Sequence, residues 1–550
     1  MTPAEMGTGC FFGRPGLDVR RWERRKSSLS PFLLLLLSLP SFASGLMDHG
    51  EDLYPREKLE LSIAGYFRTR GEVLHNFDLD RGTTPSGRAL FAVPLGDPNA
   101  QTLMNADMRL RTDLALYAPF AALAVKVRMD VIDDVVFGST PALSPGTGNA
   151  LTPATSPGQL PHTLFRLKRA YAEALTPIGM LSAGRMGSHW GLGMLANGGD
   201  CLDCDRGDAA DRVAFVSPIF GHLVAAAYDF SAVGPLQLRP DSIRSVVLEP
   251  SANVHSASFA LMNIRTPLAL DRRRRAGRVT VEYGALASHR WQDNDVPQTY
   301  LNVKGSALTS SQVVPRGFRA TVFDVWARVT APMLRVEFEG ALAIATVDQP
   351  SLIPGVLLRD KVSSLQWGGA LEIEVGEPSS RFSGGLYTGI ASGDPAPGFG
   401  AFPPAGVRPV QGELDAQQLD IPRDIRADNF RFHPDYRVDR ILFAEIIGTI
   451  TDAYYLRPWV QARLVDAGPS ALKLRLSATY TRALYASSTP GNDANLGLEV
   501  HGSLRWEARD GFDALLEYAV LVPFAGLSNP VAGLDAQPAQ LLRLRLAWVI

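Results

Sequence analysis

Five aspartates, Asp200, Asp203, Asp205, Asp208 and Asp211, crowd one short stretch beside Gly198, Gly199 and Gly207. Calcium takes about six to eight oxygen ligands, and closely spaced aspartates with glycines to turn the backbone can supply them. Asp200, Asp203, Asp205 and Asp208 are therefore candidate calcium ligands, although their spacing is not that of an EF-hand. The other reading is a solvated acidic loop with Arg206 and Arg212 as its partners. Cys201 and Cys204 lie in the same stretch, and Cys10 is the only other cysteine of the chain. A C-x-x-C in an exported protein reads as an oxidised loop staple. No thioredoxin-like pattern surrounds it, and zinc would need two further ligands that are not close in sequence. No other cofactor is expected. G-x-S-x-G, H-E-x-x-H and phosphate-loop motifs are absent. Ser188 and His189 beside the aspartates are the only constellation pointing to a hydrolase, and an enzyme is not the expectation.

The elements that must position this loop are strands. The last eleven residues, QLLRLRLAWVI, place Leu542, Leu544, Leu546, Trp548 and Ile550 on one parity and Arg543, Arg545, Ala547 and Val549 on the other. Only a β-strand sends alternate residues to opposite faces. In a soluble sheet the leucines would be buried; in a membrane barrel they meet lipid while the arginines face a wet lumen. The same alternation recurs from residue 59 onward. Met108, Leu110, Leu114 and Leu116 oppose Asp107, Arg109, Arg111 and Asp113. Val125, Val127 and Met129 oppose Lys126, Arg128 and Asp130. Leu334, Val336 and Phe338 oppose Arg335, Glu337 and Glu339, and Trp367, Leu371 and Ile373 oppose Glu372 and Glu374. Connections alternate short and long. Pro119, Pro218, Pro332 and Asp510-Gly511 mark short ones, whereas the stretch from 392 to 451 is the longest, with an apolar piece at Ile441–Ile450 read either as a short helix in the lumen or as a strand extension. Thr266–Gly277, with Arg272–Arg275, reads as a solvated turn. The expected fold is all-β: a transmembrane antiparallel β-barrel of about eighteen strands (roughly 16 to 20), with short periplasmic turns and long extracellular loops.

Composition agrees. The chain of 550 residues has 50 Gly and 39 Pro, many for a helical protein, and its net charge of -2 offers no basic excess for nucleic acid. Residues 1–43 read as an N-terminal extension and a cleaved Sec signal peptide, with Arg20–Lys26 as its basic region, Phe32–Leu39 as its apolar run and cleavage after Ala43. Residues 44–58 read as a short periplasmic segment and 59–550 as one barrel domain. Past residue 44 no apolar run is long enough for a membrane helix.

Three motifs stand out: Gly184-Arg185-Met186 through Trp190-Gly191-Leu192-Gly193 to the acidic loop, Phe432-His433-Pro434-Asp435-Tyr436-Arg437-Val438-Asp439, and Asp452-Ala453-Tyr454-Tyr455. On these the chain resembles an uncharacterised family of exported delta-proteobacterial (myxobacterial) proteins. Arg169-Ala170-Tyr171-Ala172-Glu173, with the Gly-Arg strand and acidic loop after it, is similar to alginate-export-type porins. The resemblance implies an outer-membrane barrel and names no solute.

The functional expectation is a porin-like channel for small or charged hydrophilic solutes in the outer membrane of a Gram-negative bacterium. The alternatives are a non-conducting, loop-plugged barrel serving adhesion or assembly, and an outer-membrane hydrolase. Expected partners are outer-membrane lipid and lipopolysaccharide, the barrel assembly machinery and the solutes; monomer and trimer stay open. Arg68, Arg70, Arg109, Arg111, Lys126, Arg128, Arg543 and Arg545 are expected to line a basic arc of the pore. Glu337, Glu339, Glu372 and Glu374 are expected to line the wall facing it, giving a transverse field. The other outcome is a lumen filled by salt bridges.

Overall fold

The computed structural model describes residue 47 and residues 52–94, 101–138, 165–238, 244–297, 310–377, 380–404, 406–421, 423–468 and 470–550. The expected export signal lies outside the described residues.

Twenty strands follow in order: β1 (Glu60–His75), β2 (Thr102–Tyr117), β3 (Leu123–Val136), β4 (Arg166–Thr176), β5 (Gly179–Gly187), β6 (Ala209–Ile219), β7 (His222–Ala232), β8 (Leu236–Leu238), β9 (Ser245–Val247), β10 (Val254–Asn263), β11 (Thr280–Gln292), β12 (Phe318–Thr330), β13 (Leu334–Val347), β14 (Val362–Val375), β15 (Phe382–Ala391), β16 (Ala453–Ala467), β17 (Ser470–Ala483), β18 (Asn495–Glu507), β19 (Phe512–Pro523) and β20 (Ala539–Val549). The two short strands β8 and β9 pair only with each other; the other 18 form one antiparallel sheet. That sheet closes where β1 pairs with β20, in the register Arg70↔Arg545 and Glu72↔Arg543. Closure removes the open edge that a flat sheet of this size would expose.

The alternation reads out directly as inside and outside. Leu542 and Leu544 on β20 are exposed, whereas Arg543 and Arg545, which alternate with them, are buried. Phe259, Val281, Phe323, Val325 and Val460 are each about half exposed on the outer face (54%, 54%, 48%, 51% and 61%). Large apolar groups outside and arginines inside reverse the order of a soluble protein and match a lipid-facing barrel. Aromatic side chains mark both rims. Phe512 and Phe67 pack on Trp548 near the short-turn end, at 5.3 and 5.8 Å between centroids. Tyr228, Phe230, His255 and Trp291 cluster at the long-loop end. Among the described residues no helix is long and apolar enough to cross a membrane; the strands cross it.

Three local readings change. The stretch with four consecutive arginines is not a plain turn but a helix, α1 (Pro267–Arg275). Thr266 caps it by accepting from Ala269 N at 3.1 Å, Pro267 fits its first turn, and the arginines sit at its C-terminal end, where the helix dipole favours cations. Pro218 does not end β6; the turn falls at Phe220 and Gly221, both at positive φ. Of the two readings of Ile441–Ile450, the lumen one holds: Leu442–Ile446 form one π-helical turn inside the barrel, with Leu442, Phe443 and Ile446 buried.

Candidate functional site

The lumen is crossed by the loop between β5 and β6. At its root, Gly191 has φ +54, and a Cβ there would stand 2.6 Å from Glu339 Oε2 and 2.9 Å from a Trp326 ring carbon. Only glycine suits both conditions. Glu339 of β13 then accepts from three backbone N–H groups of the loop: Leu192 N at 2.5 Å, Met194 N at 3.3 Å and Leu195 N at 3.1 Å. Trp190 Nε1 donates to Asp324 of β12 at 2.9 Å. The acidic wall therefore grips the loop's backbone N–H groups.

The tip of the loop reaches the basic arc. Cys201 and Cys204 are disulfide-bonded and close a four-residue ring. Leu202 O accepts from Arg68 Nη1 at 2.8 Å and Cys204 O from Arg109 Nη1 at 2.6 Å. Asp203 pairs with Arg545 of β20. Asp205 receives Arg68 at 3.1 Å and Arg70 at 2.9 Å. Asp200 meets Arg128 and Arg169, and Gly199 O accepts from Arg111 Nη1 at 2.7 Å. Strand neighbours supply the remaining charge: Asp107 to Arg70, Asp113 to Arg128, Asp130 to Arg111, and Asp134 to both Arg68 and Arg109.

These contacts set the loop's titration. Burial alone would raise Asp205, but Arg70, Arg437 and Arg68 hold it well below the usual carboxylate range. Asp200 is likewise buried and likewise pulled down, by Arg169 and Arg128. Asp203 is lowered against its burial, chiefly by Arg545. The loop is thus an anionic bar locked into a cationic wall.

A second loop, between β15 and β16, seals the first. His433 N donates to Met194 O at 2.7 Å. Asp435 accepts from Arg206 N at 3.0 Å and Asp205 N at 3.3 Å, and Arg437 Nη2 reaches Asp205 at 3.1 Å. Two of the three sequence motifs therefore meet inside the barrel. Asp439 accepts from Phe443 N and Ala444 N at 2.8 and 2.9 Å, shaping the π-helical turn. The third motif contributes Tyr455, whose hydroxyl lies 3.1 Å from that of Tyr436. Phe399, Phe430, Phe432, Val438 and Ile441 pack with Leu192 and Met194 as an apolar cluster above the charges.

The sequence-expected residues are thus placed as follows. Arg68, Arg70, Arg109, Arg111, Lys126, Arg128, Arg543 and Arg545 all face inward, but all are buried beneath loops or partners; Arg68 and Arg109 have no exposed surface. Glu337, Glu339 and Glu372 are also buried, and Glu374 is partly exposed. Arg335 bridges Glu337, Glu372 and Glu374. The loop and neighbouring carboxylates pair with the charges of both walls, so the inward-facing charges are joined by salt bridges. Asp200, Asp203 and Asp205 go to separate arginines, Asp208 lies beside His433, and Asp211 sits on β6 facing outward with Arg185 at 2.7 Å. The expected calcium donors are dispersed rather than convergent, and among the described residues no group of three or more His, Cys, Asp or Glu is placed to hold a metal. The partners expected for the acidic loop change too: Arg212 pairs with Asp229, and Arg206 lies over the Phe402 ring. Ser188 accepts from Arg212, and His189 Nδ1 accepts from Gly198 N at 3.4 Å, so the two do not form a nucleophile–base pair.

Reading the sequence missed the role of Glu339 as a backbone clamp and of Asp134 as a shared counter-ion, because both depend on contacts across the lumen. In the N-terminal segment, Asp52 lies at the short-turn mouth, accepting from Tyr117 at 2.5 Å and Lys126 at 3.0 Å, and Leu53 is buried.

No protein-family model and no curated protein matches this sequence. Among solved structures, the chain is similar to OpdK of Pseudomonas aeruginosa, crystallised with vanillate (9% identity, covering 89% of this chain and 98% of that one, TM-score 0.40). It is similar to a variant of OccD1 (OprD) (7%, 92% and 98%, TM-score 0.44) and to an anion-selective porin from Comamonas acidovorans (10%, 90% and 100%, TM-score 0.38). At these values the likeness is one of fold.

Proposed function

We propose that this protein is an outer-membrane, porin-like channel for small hydrophilic solutes, narrowed by the β5–β6 loop lying across its lumen. The observation that carries the reading is the clamp itself. The loop is attached by ion pairs and hydrogen bonds to two opposite walls, and non-covalent contacts of this kind can open. Water-accessible surface lies on both sides of it. Towards the long loops, Ser258, Ser288, Ala320, Val322 and Ala343 are partly exposed and Arg290 is exposed on the inward parity. Towards the short turns, Gln461, Arg463, Arg475, Ser503 and Arg505 are partly exposed. The long loops are assigned to the cell exterior and the short turns to the periplasm. Lipopolysaccharide and lipid would contact the apolar outer band, and the C-terminal strand would be read by the barrel assembly machinery. The protein is assigned no catalytic step.

A second reading, a non-conducting platform, is favoured by the full burial of Arg68 and Arg109 under the loop. Purified protein reconstituted into liposomes separates the two. Swelling in isotonic solutions of small sugars or amino acids supports the channel; liposomes that stay impermeable to every solute support the platform.

A further inference from the structure

Below the loop, the inner wall of β15, β16 and β17 carries two guanidinium groups around one aromatic pair. Arg475 Cζ lies 3.9 Å from the centroid of Trp459 and 5.6 Å from that of Tyr387. Arg457 Cζ lies 5.9 Å from the same Tyr387 ring. Arg457 is 7% exposed and forms no ion pair among the described residues; its one hydrogen bond is a long one, 3.4 Å from Nη2 to Ser477 Oγ, and its Nε has no partner. This is unusual in a lumen where nearly every other arginine meets a carboxylate. The acidic groups nearby are already engaged. Asp439 accepts from Phe443 N and Ala444 N, Glu499 accepts from Arg440 N at 2.7 Å and Ile441 N at 3.0 Å, and Glu517 is held by Arg440 and His501. A buried cation without a carboxylate calls for a counter-ion, and an aromatic face satisfies that need only in part.

Resting on the channel reading above, we infer that Arg457 and Arg475 form a binding subsite for the carboxylate of a small organic anion in transit. The planar guanidinium fork matches a carboxylate in shape and charge. Trp459 and Tyr387 support the two guanidinium groups on this wall. The partly exposed Arg475 and Gln461 give the subsite an approach from the short-turn mouth. The solutes favoured by this wall are therefore carboxylates rather than cations or neutral sugars.

The test is a saturation-transfer NMR titration of the detergent-solubilised full barrel with succinate, and with succinamide as its neutral counterpart. Succinate should bind and succinamide should not. Arg457→Gln and Arg475→Gln should each weaken succinate binding by about tenfold, as loss of a charge-assisted hydrogen bond does. Arg457→Lys should keep part of the affinity, and Arg185→Gln, which removes an outward-facing charge, should keep all of it. Heat-modifiable migration on gels confirms that each variant is folded. Equal binding of the two probes, or wild-type affinity in the Arg457→Gln, Arg475→Gln double variant, overturns the subsite. Binding is read here without any need for conduction, so a failure of the channel reading shows up in liposomes and a failure of the subsite shows up in this titration.

Discussion

Arg70 of the closing seam donates from Nη1 to Asp205 Oδ2 at 2.9 Å, across 135 residues of sequence, and so ties the barrel wall to the loop that crosses it. Arg68 shares the same carboxylate at 3.1 Å, as do Arg437 of the second loop at 3.1 Å and Arg109 at 3.5 Å. Asp205→Asn removes the anion on which four guanidinium groups converge. Breaking one partner of a buried pair costs about 3 kcal/mol or more. The expected outcome is a barrel that still folds but whose loop is cut by added protease, where the wild-type loop is protected.

The loop carboxylates also fix how the clamp responds to acid. Asp200, Asp203 and Asp205 are held below the usual carboxylate value in the folded state. Their contribution is complete above the unfolded value of about 3.9 and is lost as pH falls through the folded value. The arginine pairs of these three carboxylates should therefore hold from about pH 7 to about pH 5 and weaken only in stronger acid. Protease protection of the Cys201–Cys204 tip across that range measures it; release of the tip near pH 6 would contradict these assignments.

The disulfide ring presents Leu202 O, Asp203 and Cys204 O to three arginines at once. A dithiol reductant, or Cys201→Ser with Cys204→Ser, frees the ring to take other shapes and should raise loop exposure without unfolding the barrel. Mass spectrometry of cysteine-specific labelling after reduction reports whether the ring opened, and proteolysis reports whether the loop followed.

The fold was legible because alternation is a property of each strand alone. Leu544 and Arg545 announce lipid and lumen from their neighbours in sequence, and closure is the pairing of β1 with β20. The lumen was less legible. The arginine parity was correct for Arg109, Arg128 and Arg543, but what those arginines touch was hidden, because Asp200 and Asp205 approach them from a distant loop. The acidic run looked like a metal loop because spacing alone does not show that each carboxylate points a different way. Glu339 looked like a pore-lining charge because nothing local shows that it accepts from Leu192, Met194 and Leu195. Local chemistry also explains α1: Thr266, Pro267 and the C-terminal arginines are helix signals that four consecutive charges obscured.

Asp452, at the end of the long β15–β16 connection, is raised to about 8 by burial, against the hydrogen bond from Ser488. A carboxyl whose folded value is raised is neutral when folded and ionised when unfolded over the intervening range, so it lowers stability as pH rises from its ordinary 3.8 to about 8. Asp452→Asn removes that penalty and keeps an acceptor for Ser488; asparagine also tolerates the φ of 47° found here. The melting temperature of the variant should exceed that of wild type by more at pH 8 than at pH 5.

Leu544 on β20 is 46% exposed on the outer face, and Leu546 follows on the same parity. Replacing both with Asp places charge against lipid at a cost of roughly a few kcal/mol in total. Folded, heat-modifiable protein should be lost from the membrane fraction. Normal assembly of this variant would remove β20 from the lipid-facing wall.

The most direct test of the clamped channel is single-channel recording in planar lipid bilayers, comparing wild type with Asp203→Asn, Asp205→Asn. Wild type should give small, discrete steps, and the double variant larger or longer-lived ones, because Arg68, Arg70 and Arg545 no longer hold the loop across the lumen. Silent bilayers for both proteins, each verified as folded and inserted, would contradict the channel and leave a sealed barrel.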